Sequence, residues 1–293
     1  MRDRTLKYAL LVPAFTLVIA TTIYPLAYSF ITSLREWRLT RSRAPQGFVG
    51  TENYQQAFAD PEFLNSLWVT VVFVASSVVL TLVLSFALAL LLRRTGVLHS
   101  FTRTILILPF AMSPALIGVS YRFMFNPEFG VLAKGIGAVI PALDGVAWLA
   151  SPGLAMFVLV LTDVWHWTPY MTFVCLGGLT AVPRETEEAA RVDGASSLRI
   201  LMDVVIPQMR GVLLVIAILK TIFALKMFDQ VVTLTGGGPG NATQTLAYFV
   251  FNVGFKWFDM GYASALAYIL TAAMMLISLW YVRLLLSDRR TAT

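Results

Sequence analysis

A chain of 293 residues that is 58% hydrophobic and only 13% charged, with 20 Phe and a mean hydropathy of +0.75, has too little polar surface to cover a water-soluble fold. Its net charge of +6 is better explained by where basic residues flank apolar runs than by a nucleic-acid partner. The single Cys175 lies inside an apolar run, which excludes a disulfide framework or thiolate metal cluster and reads as an inert buried thiol.

The first apolar run, 8–33, follows Arg2, Arg4 and Lys7. It outlasts the 7–15-residue core of a signal peptide and lacks an Ala-x-Ala ending, so it reads as an uncleaved first span. Further runs at 67–92, 104–125, 154–179, 212–234 and 262–286 give six expected spans. About 20 helical residues cross a hydrocarbon core of roughly 30 Å, and only helices bond their own backbone within one segment there. The expectation is an all-α integral membrane protein: first helix and external loop at 1–66, transmembrane core at 67–286 and a cytoplasmic tail at 287–293. Pro25, Pro109, Pro114 and Pro169 fall in or near spans and are expected to kink them.

Orientation follows from the basic residues. Arg2, Arg4, Lys7, Arg93, Arg94, Arg103, Arg184, Arg191, Arg199, Arg210, Arg283, Arg289 and Arg290 fall on one side. They outnumber Arg35, Arg38, Arg41, Arg43, Arg122, Lys134 and Lys256 on the other. The positive-inside rule puts both termini and the segment between the fourth and fifth spans in the cytoplasm, with loops 34–66, 126–153 and 235–261 outside. Trp37, Trp68, Trp148 and Trp257 near span ends read as interface anchors, with contact to a docking protein as the other use of external aromatics.

Catalytic and nucleotide motifs are missing. No Gly-x-x-x-x-Gly-Lys-Ser/Thr occurs, and the run Gly236-Gly237-Gly238-Pro239-Gly240 lacks a phosphate-reaching lysine, so it reads as a tight loop. His99 and His166 lie on different segments, which gives neither a zinc pair nor a Ser-His-Asp set. The chain is not expected to be an enzyme.

Between the fourth and fifth runs lies a polar insert with Glu188-Ala189-Ala190-Arg191-Val192-Asp193-Gly194 and Val204-Val205-Ile206-Pro207. Pro183 suits a first helical turn, and Glu185, Glu187 and Glu188 complement a helix N-terminus. Ala189 and Ala190 present a thin surface to a partner, and Gly194 can take the left-handed conformation that ends the helix. Ser196 or Ser197 then caps a second short helix, expected to stop near Pro207. An interfacial amphipathic helix without a partner is the plainer reading of such a segment. The spacing of Glu188, Ala189, Ala190, Gly194 and Pro207 resembles the EAA loop of binding-protein-dependent ABC import permeases, with Val204 and Ile206 where Ile and Leu are usual.

In the fourth span Asp163, His166, Trp167 and Tyr170 share a helical face. A carboxylate among aromatic rings suits a hydroxyl-rich solute, and a helix-to-helix pairing of Asp163 and His166 is an equal alternative. In the fifth span Lys226 and Asp229 are expected to form an ion pair near the outer interface, with solute contact second; Lys220 is similarly costly in lipid. Phe228-Asp229 with Leu234-Thr235-Gly236-Gly237-Gly238-Pro239, Gly50-x-x-Asn53-Tyr54, Asp60-Pro61-x-Phe63 and Trp167-Thr168-Pro169 resemble the carbohydrate branch of these permeases.

The resemblance covers nearly the whole chain. It implies a six-span, multi-pass permease in a prokaryotic cell membrane, with a second homologous permease chain, two cytoplasmic ATPase subunits and an extracytoplasmic solute-binding protein as partners. It implies that ATP and Mg are used by the partner ATPase and that no cofactor is bound here. Glu188, Ala189, Ala190, Asp193, Gly194 and Pro207 would couple to the ATPase; Asp163, His166, Trp167, Tyr170, Lys226 and Asp229 would line the path of a sugar or polyol. A glycerol-phosphate cargo is the variant within the family. An ion-coupled secondary transporter, which needs no EAA loop, is the alternative from another class.

Overall fold

The computed structural model describes residues 11–93 and 97–291. Arg2, Arg4, Lys7 and Arg94 lie outside them. Among the described residues the chain is helical, with two isolated β-bridges, Arg35 to Phe48 and Arg38 to Asp259.

The helices are α1 (Leu11–Ser33), α2 (Glu52–Ala59), α3 (Pro61–Leu92), α4 (Thr104–Ala111), α5 (Pro114–Met124), α6 (Val131–Val139), α7 (Pro152–Leu179), α8 (Arg184–Val192), α9 (Ser197–Leu225), α10 (Leu246–Lys256) and α11 (Met260–Thr291). Among the described residues, α1, α3, α9 and α11 are long and apolar enough to cross a membrane, and the bent pair α4–α5 adds a fifth crossing if taken as one span. The expected fourth span, α7, is 28 residues long but carries Thr162, Asp163, His166 and Thr168 in its middle and is not among them.

Prolines act differently from one another. Pro114 holds Ser113 extended (φ −64°, ψ 134°), because a residue before proline is pushed out of the helical region. The expected third span is therefore two helices meeting at 98°. Pro25 and Pro207 break nothing. Each follows a stretch of wider i+5 turns, Ile19–Ile23 and Leu201–Val205, and such turns relieve the clash between a proline ring and the carbonyl four residues back. The second helix of the insert therefore does not stop at Pro207, as the sequence suggests. It runs on as α9 and ends at Leu225, short of the expected end of the fifth span. The loops expected at 126–153 and 235–261 hold α6 and α10, and α11 carries the helix through most of the expected tail.

The chain divides into two compact units. The first joins the segment ending at Leu64 to Phe249–Ala272. Asn53 donates from Nδ2 to the carbonyls of Ser33 (2.8 Å) and Arg35 (3.1 Å), and the Tyr262 hydroxyl donates to Asp60 (2.8 Å). Arg38 pairs with Asp259 at 2.8 Å and Arg41 with Glu36 at 3.4 Å, so two of the arginines that weaken the charge asymmetry have carboxylate partners beside them. Phe63 is fully buried. Asn53, Asp60 and Phe63 belong to the Gly50-x-x-Asn53-Tyr54 and Asp60-Pro61-x-Phe63 motifs, and their work in this unit is to tie its segments together.

The second unit comprises Asn65–Tyr248 and the end of α11. Its core at the α8 end joins Ala89 of α3, Met171, Cys175 and Leu179 of α7, and Ile200, Val205, Met209 and Ile216 of α9. Close approach of α7 to α9 depends on Gly178: a Cβ there would lie 2.8 Å from the Val212 methyls and 2.9 Å from Met209 Cε. Trp148, expected at the interface, is buried against Phe125, with ring centroids 5.4 Å apart. Gly178→Val should destabilise the purified protein by about 1–3 kcal/mol through overpacking, read as a lower Tm. Gly177→Val, where nothing lies within 4 Å of the added Cβ, should leave Tm nearly unchanged.

Candidate functional site: an exposed helix and a buried polar cluster

The helix α8 begins after Pro183, which is its N-cap (φ −64°, ψ 131°) rather than part of its first turn. Glu185 and Glu187 in that first turn complement the N-terminal partial charge. At the other end Gly194 takes φ +83°, its N–H bonds the Arg191 carbonyl at 3.0 Å, and the Ala195 N–H bonds the Ala190 carbonyl at 2.9 Å. This is the paired closure that calls for glycine, since a Cβ disfavours the left-handed conformation by about 1–2 kcal/mol. Ser196 then caps α9 by accepting from the Arg199 N–H at 3.4 Å.

Two faces of α8 differ. Glu188, Ala189, Arg191 and Asp193 are exposed, and Val192 is 87% exposed although apolar. Leu198 and Met202 at the start of α9 are exposed as well. The opposite face is anchored. Ala190 and Ala195 pack on the core at the α8 end, and Arg93, just beyond α3, pairs with Glu187 at 2.5 Å. Ala190 thus stands apart from the other insert residues, turned toward the protein's own core. Pro207 lies inside the continuous α9, away from α8 in sequence.

The second group of residues lies between helices. Asp163 of α7 is wholly buried; it pairs with Lys220 of α9, also wholly buried, and accepts from the Ser77 hydroxyl of α3. Three helices thus meet at one charge pair, the helix-to-helix alternative for Asp163. His166 is buried and stacks near Phe110, with its Nδ1 3.5 Å from Gln230 Nε2. Tyr170 stacks on Phe110 (4.7 Å, 17°), and Trp167 stacks on Phe223 (4.2 Å, 18°) with the Lys220 ammonium 5.7 Å from its ring centroid. Phe110, Trp167, Tyr170 and Phe223 are only partly buried, so the rings form an accessible aromatic cluster beside a sealed charge pair.

Lys226 and Asp229 do not pair, against the sequence expectation. Lys226 caps the end of α9 where the helix breaks, both side chains are exposed, and the separation that would align them on a helix is lost. Sequence reasoning also missed Ser77, Phe110, Phe223 and Gln230. The available signal was the series Ser66, Thr70, Ser77, Thr81 and Ser85, all buried and spaced by four and seven along α3, marking a polar inner face on an apolar helix.

The family model described as "Binding-protein-dependent transport system inner membrane component" matches residues 82–291. The chain belongs to this family. Permease proteins are among its curated relatives. It is 34% identical over 283 residues to the sulfoquinovosyl glycerol transport system permease protein SmoG of Agrobacterium fabrum, covering 97% of this chain and 91% of that one. It is 35% identical to the trehalose/maltose transport system permease protein MalF of Thermococcus litoralis (94% and 91% covered). The sn-glycerol-3-phosphate transport system permease protein UgpA of Agrobacterium fabrum is 32% identical (96% and 94%). The fold matches a chain of a bacterial ABC transporter that imports the acidic polysaccharide alginate, with TM-score 0.84, 17% identity, and 100% and 98% covered. A multi-pass inner membrane component therefore carries both α8 and the buried pair.

Removing one partner of a buried charge pair strands the other in an apolar site and costs about 3–5 kcal/mol, whereas replacing both is far milder. Asp163→Ala and Lys220→Ala should each lower the amount of folded protein in membranes sharply. The double variant Asp163→Asn with Lys220→Met should recover most of it on fluorescence-detected size exclusion.

Proposed function

We propose that this family member is the membrane-spanning permease of an ATP-driven importer, and that α8 is the coupling helix seated on a cytoplasmic ATPase subunit. The observation that carries the reading is the uncovered outer face of α8 and early α9: Glu188, Ala189 and Val192, the last an apolar side chain exposed on an otherwise polar helix, with Leu198 and Met202 exposed at the start of α9. Water does not stabilise that arrangement, and a protein partner would cover it. In this reading the partners are a second homologous permease, two ATPase subunits that bind ATP and Mg, and an extracytoplasmic solute-binding protein. Both termini and α8 face the cytoplasm.

The cargo in this reading is a sugar or related polyol. Partly open rings at Phe110, Trp167, Tyr170 and Phe223 suit packing against sugar C–H faces, while His166 and Gln230 are buried behind them, 3.5 Å apart. Asp163 supports the frame and leaves solute contact to its neighbours. An anionic cargo such as a glycerol phosphate would draw on a cationic residue in the cavity. Lys220 is already committed to Asp163, so an anionic solute would have to draw on the exposed Lys226 at the end of α9 instead. The named cargoes of the relatives, uncharged trehalose/maltose against the anionic sulfoquinovosyl glycerol (a sulfonate) and sn-glycerol-3-phosphate, span both chemistries.

Glu188→Lys and Gly194→Asp should lower uptake at least about 5-fold, the lower end of a typical coupling free energy, while the chain still inserts at normal levels. Normal uptake by either variant would count against the coupling role. In vesicles, uptake should need ATP and survive a proton uncoupler. The opposite pattern would favour an ion-coupled secondary transporter.

A further inference from the structure

Covalent links join α8 to α7 and α9, whereas among the described residues α8 meets the end of α3 through side chains. We propose that Arg93 is a positioning residue: its guanidinium clasps Glu187 and fixes α8 in register with the end of α3, so that α3 follows α8 when α8 is displaced. The inference rests on the reading of α8 as the docking helix.

Three observations converge. Arg93 sits one residue past the end of α3 and meets Glu187 at 2.5 Å. Both side chains are shielded, 22% and 14% exposed, on a helix whose other charged residues are exposed. The pair forms part of the wall of an open cleft of about 320 Å³ lined by Leu90, Arg93, Arg184, Glu187, Glu188 and Arg191. Of the three arginines there, Arg184 and Arg191 ride on α8 itself, and only Arg93 comes from another helix.

Its chemistry suits the role. A planar guanidinium fixes a carboxylate in direction as well as distance, which an ammonium does not, and partial burial reduces screening by salt. Ala190 of α8 and Ala195 just after it also face inward, with methyl groups packed on an apolar core, and these contacts are non-directional. Without Arg93 the helix keeps its apolar seat but loses its fixed register to α3. Glu188, one residue on, points outward and stays available to a partner, so clasp and docking face divide the two adjacent glutamates between them.

The test uses the complete transporter, with all partner subunits, in membrane vesicles. Leu90→Cys with Arg184→Cys, which line the same cleft from α3 and α8 and leave Arg93 and Glu187 in place, in a Cys175→Ser background, is treated with a short bifunctional thiol reagent in three states: no nucleotide, ATP, and ATP with vanadate. The clasp predicts equal cross-linking in all three. A yield that falls about 5-fold or more on vanadate trapping means that the pair opens during the cycle, and it overturns the proposal.

A second reading is the ratio of ATP hydrolysis with the system's solute-binding protein to hydrolysis without it, taken per assembled complex. Arg93→Gln should lower that ratio at least about 5-fold. Arg93→Lys should restore it only in part, and the exchange Arg93→Glu with Glu187→Arg should restore most of it. A merely structural role would change the amount of complex and leave the ratio alone, which overturns the clasp, as does failure of the exchange. Absence of stimulation in the unaltered transporter overturns the importer reading and the clasp with it. Normal stimulation in Arg93→Gln overturns the clasp alone.

Discussion

A charge pair in an apolar medium cannot be satisfied by water, so the helices that carry it are held to each other. Asp163 and Lys220 impose that constraint on α7 and α9, with Ser77 adding α3. Gly178 lets the same two helices approach closely nearer to α8, where the apolar core around Cys175 and Met209 fills the space. The result is a two-helix arm fastened by charge in its middle and by packing near its end, with α8 at the tip. A displacement of α8 is therefore passed to α7 and α9 as a movement of packed elements, which resist continuous deformation.

The same constraint sorts the polar residues by role. Asp163 and Lys220 use their charges on each other and are sealed. The aromatic residues one turn along α7, with Phe110 and Phe223 from neighbouring helices, remain partly open. In the proposed reading frame and contact surface lie side by side on one helix, so that a change of cargo would act on the rings without loosening the frame. The spread of named cargoes among relatives of similar identity fits that separation.

What was legible in the sequence follows from the range of the interactions. Gly194 could be read because a left-handed helix end is a local requirement that one residue type meets best, and the helical identity of the spans because a backbone in lipid has few solutions. The fate of Pro207 could not. Proline bars a regular α-turn, but the wider turns at Leu201–Val205 carry the helix past it, and no residue pattern there announces them. The partner of Asp163 lies 57 residues away on another helix, whereas Lys226 and Asp229, three apart, looked paired only on the assumption of an unbroken helix. Arg93 and Glu187 are 94 residues apart, and their meeting depends wholly on tertiary packing.

The central claim is that the outer face of α8 is covered by an ATPase subunit and the inner face by the chain itself. Single cysteines placed in a Cys175→Ser background at Ala189, Val192 and Leu198, and separately at the inward Ala190, test it by cross-linking in intact vesicles. The account predicts adducts with the ATPase subunit from the three outward positions and little or none from Ala190. Adducts with lipid reagents alone at Val192 and Leu198, with the ATPase untouched, would contradict it.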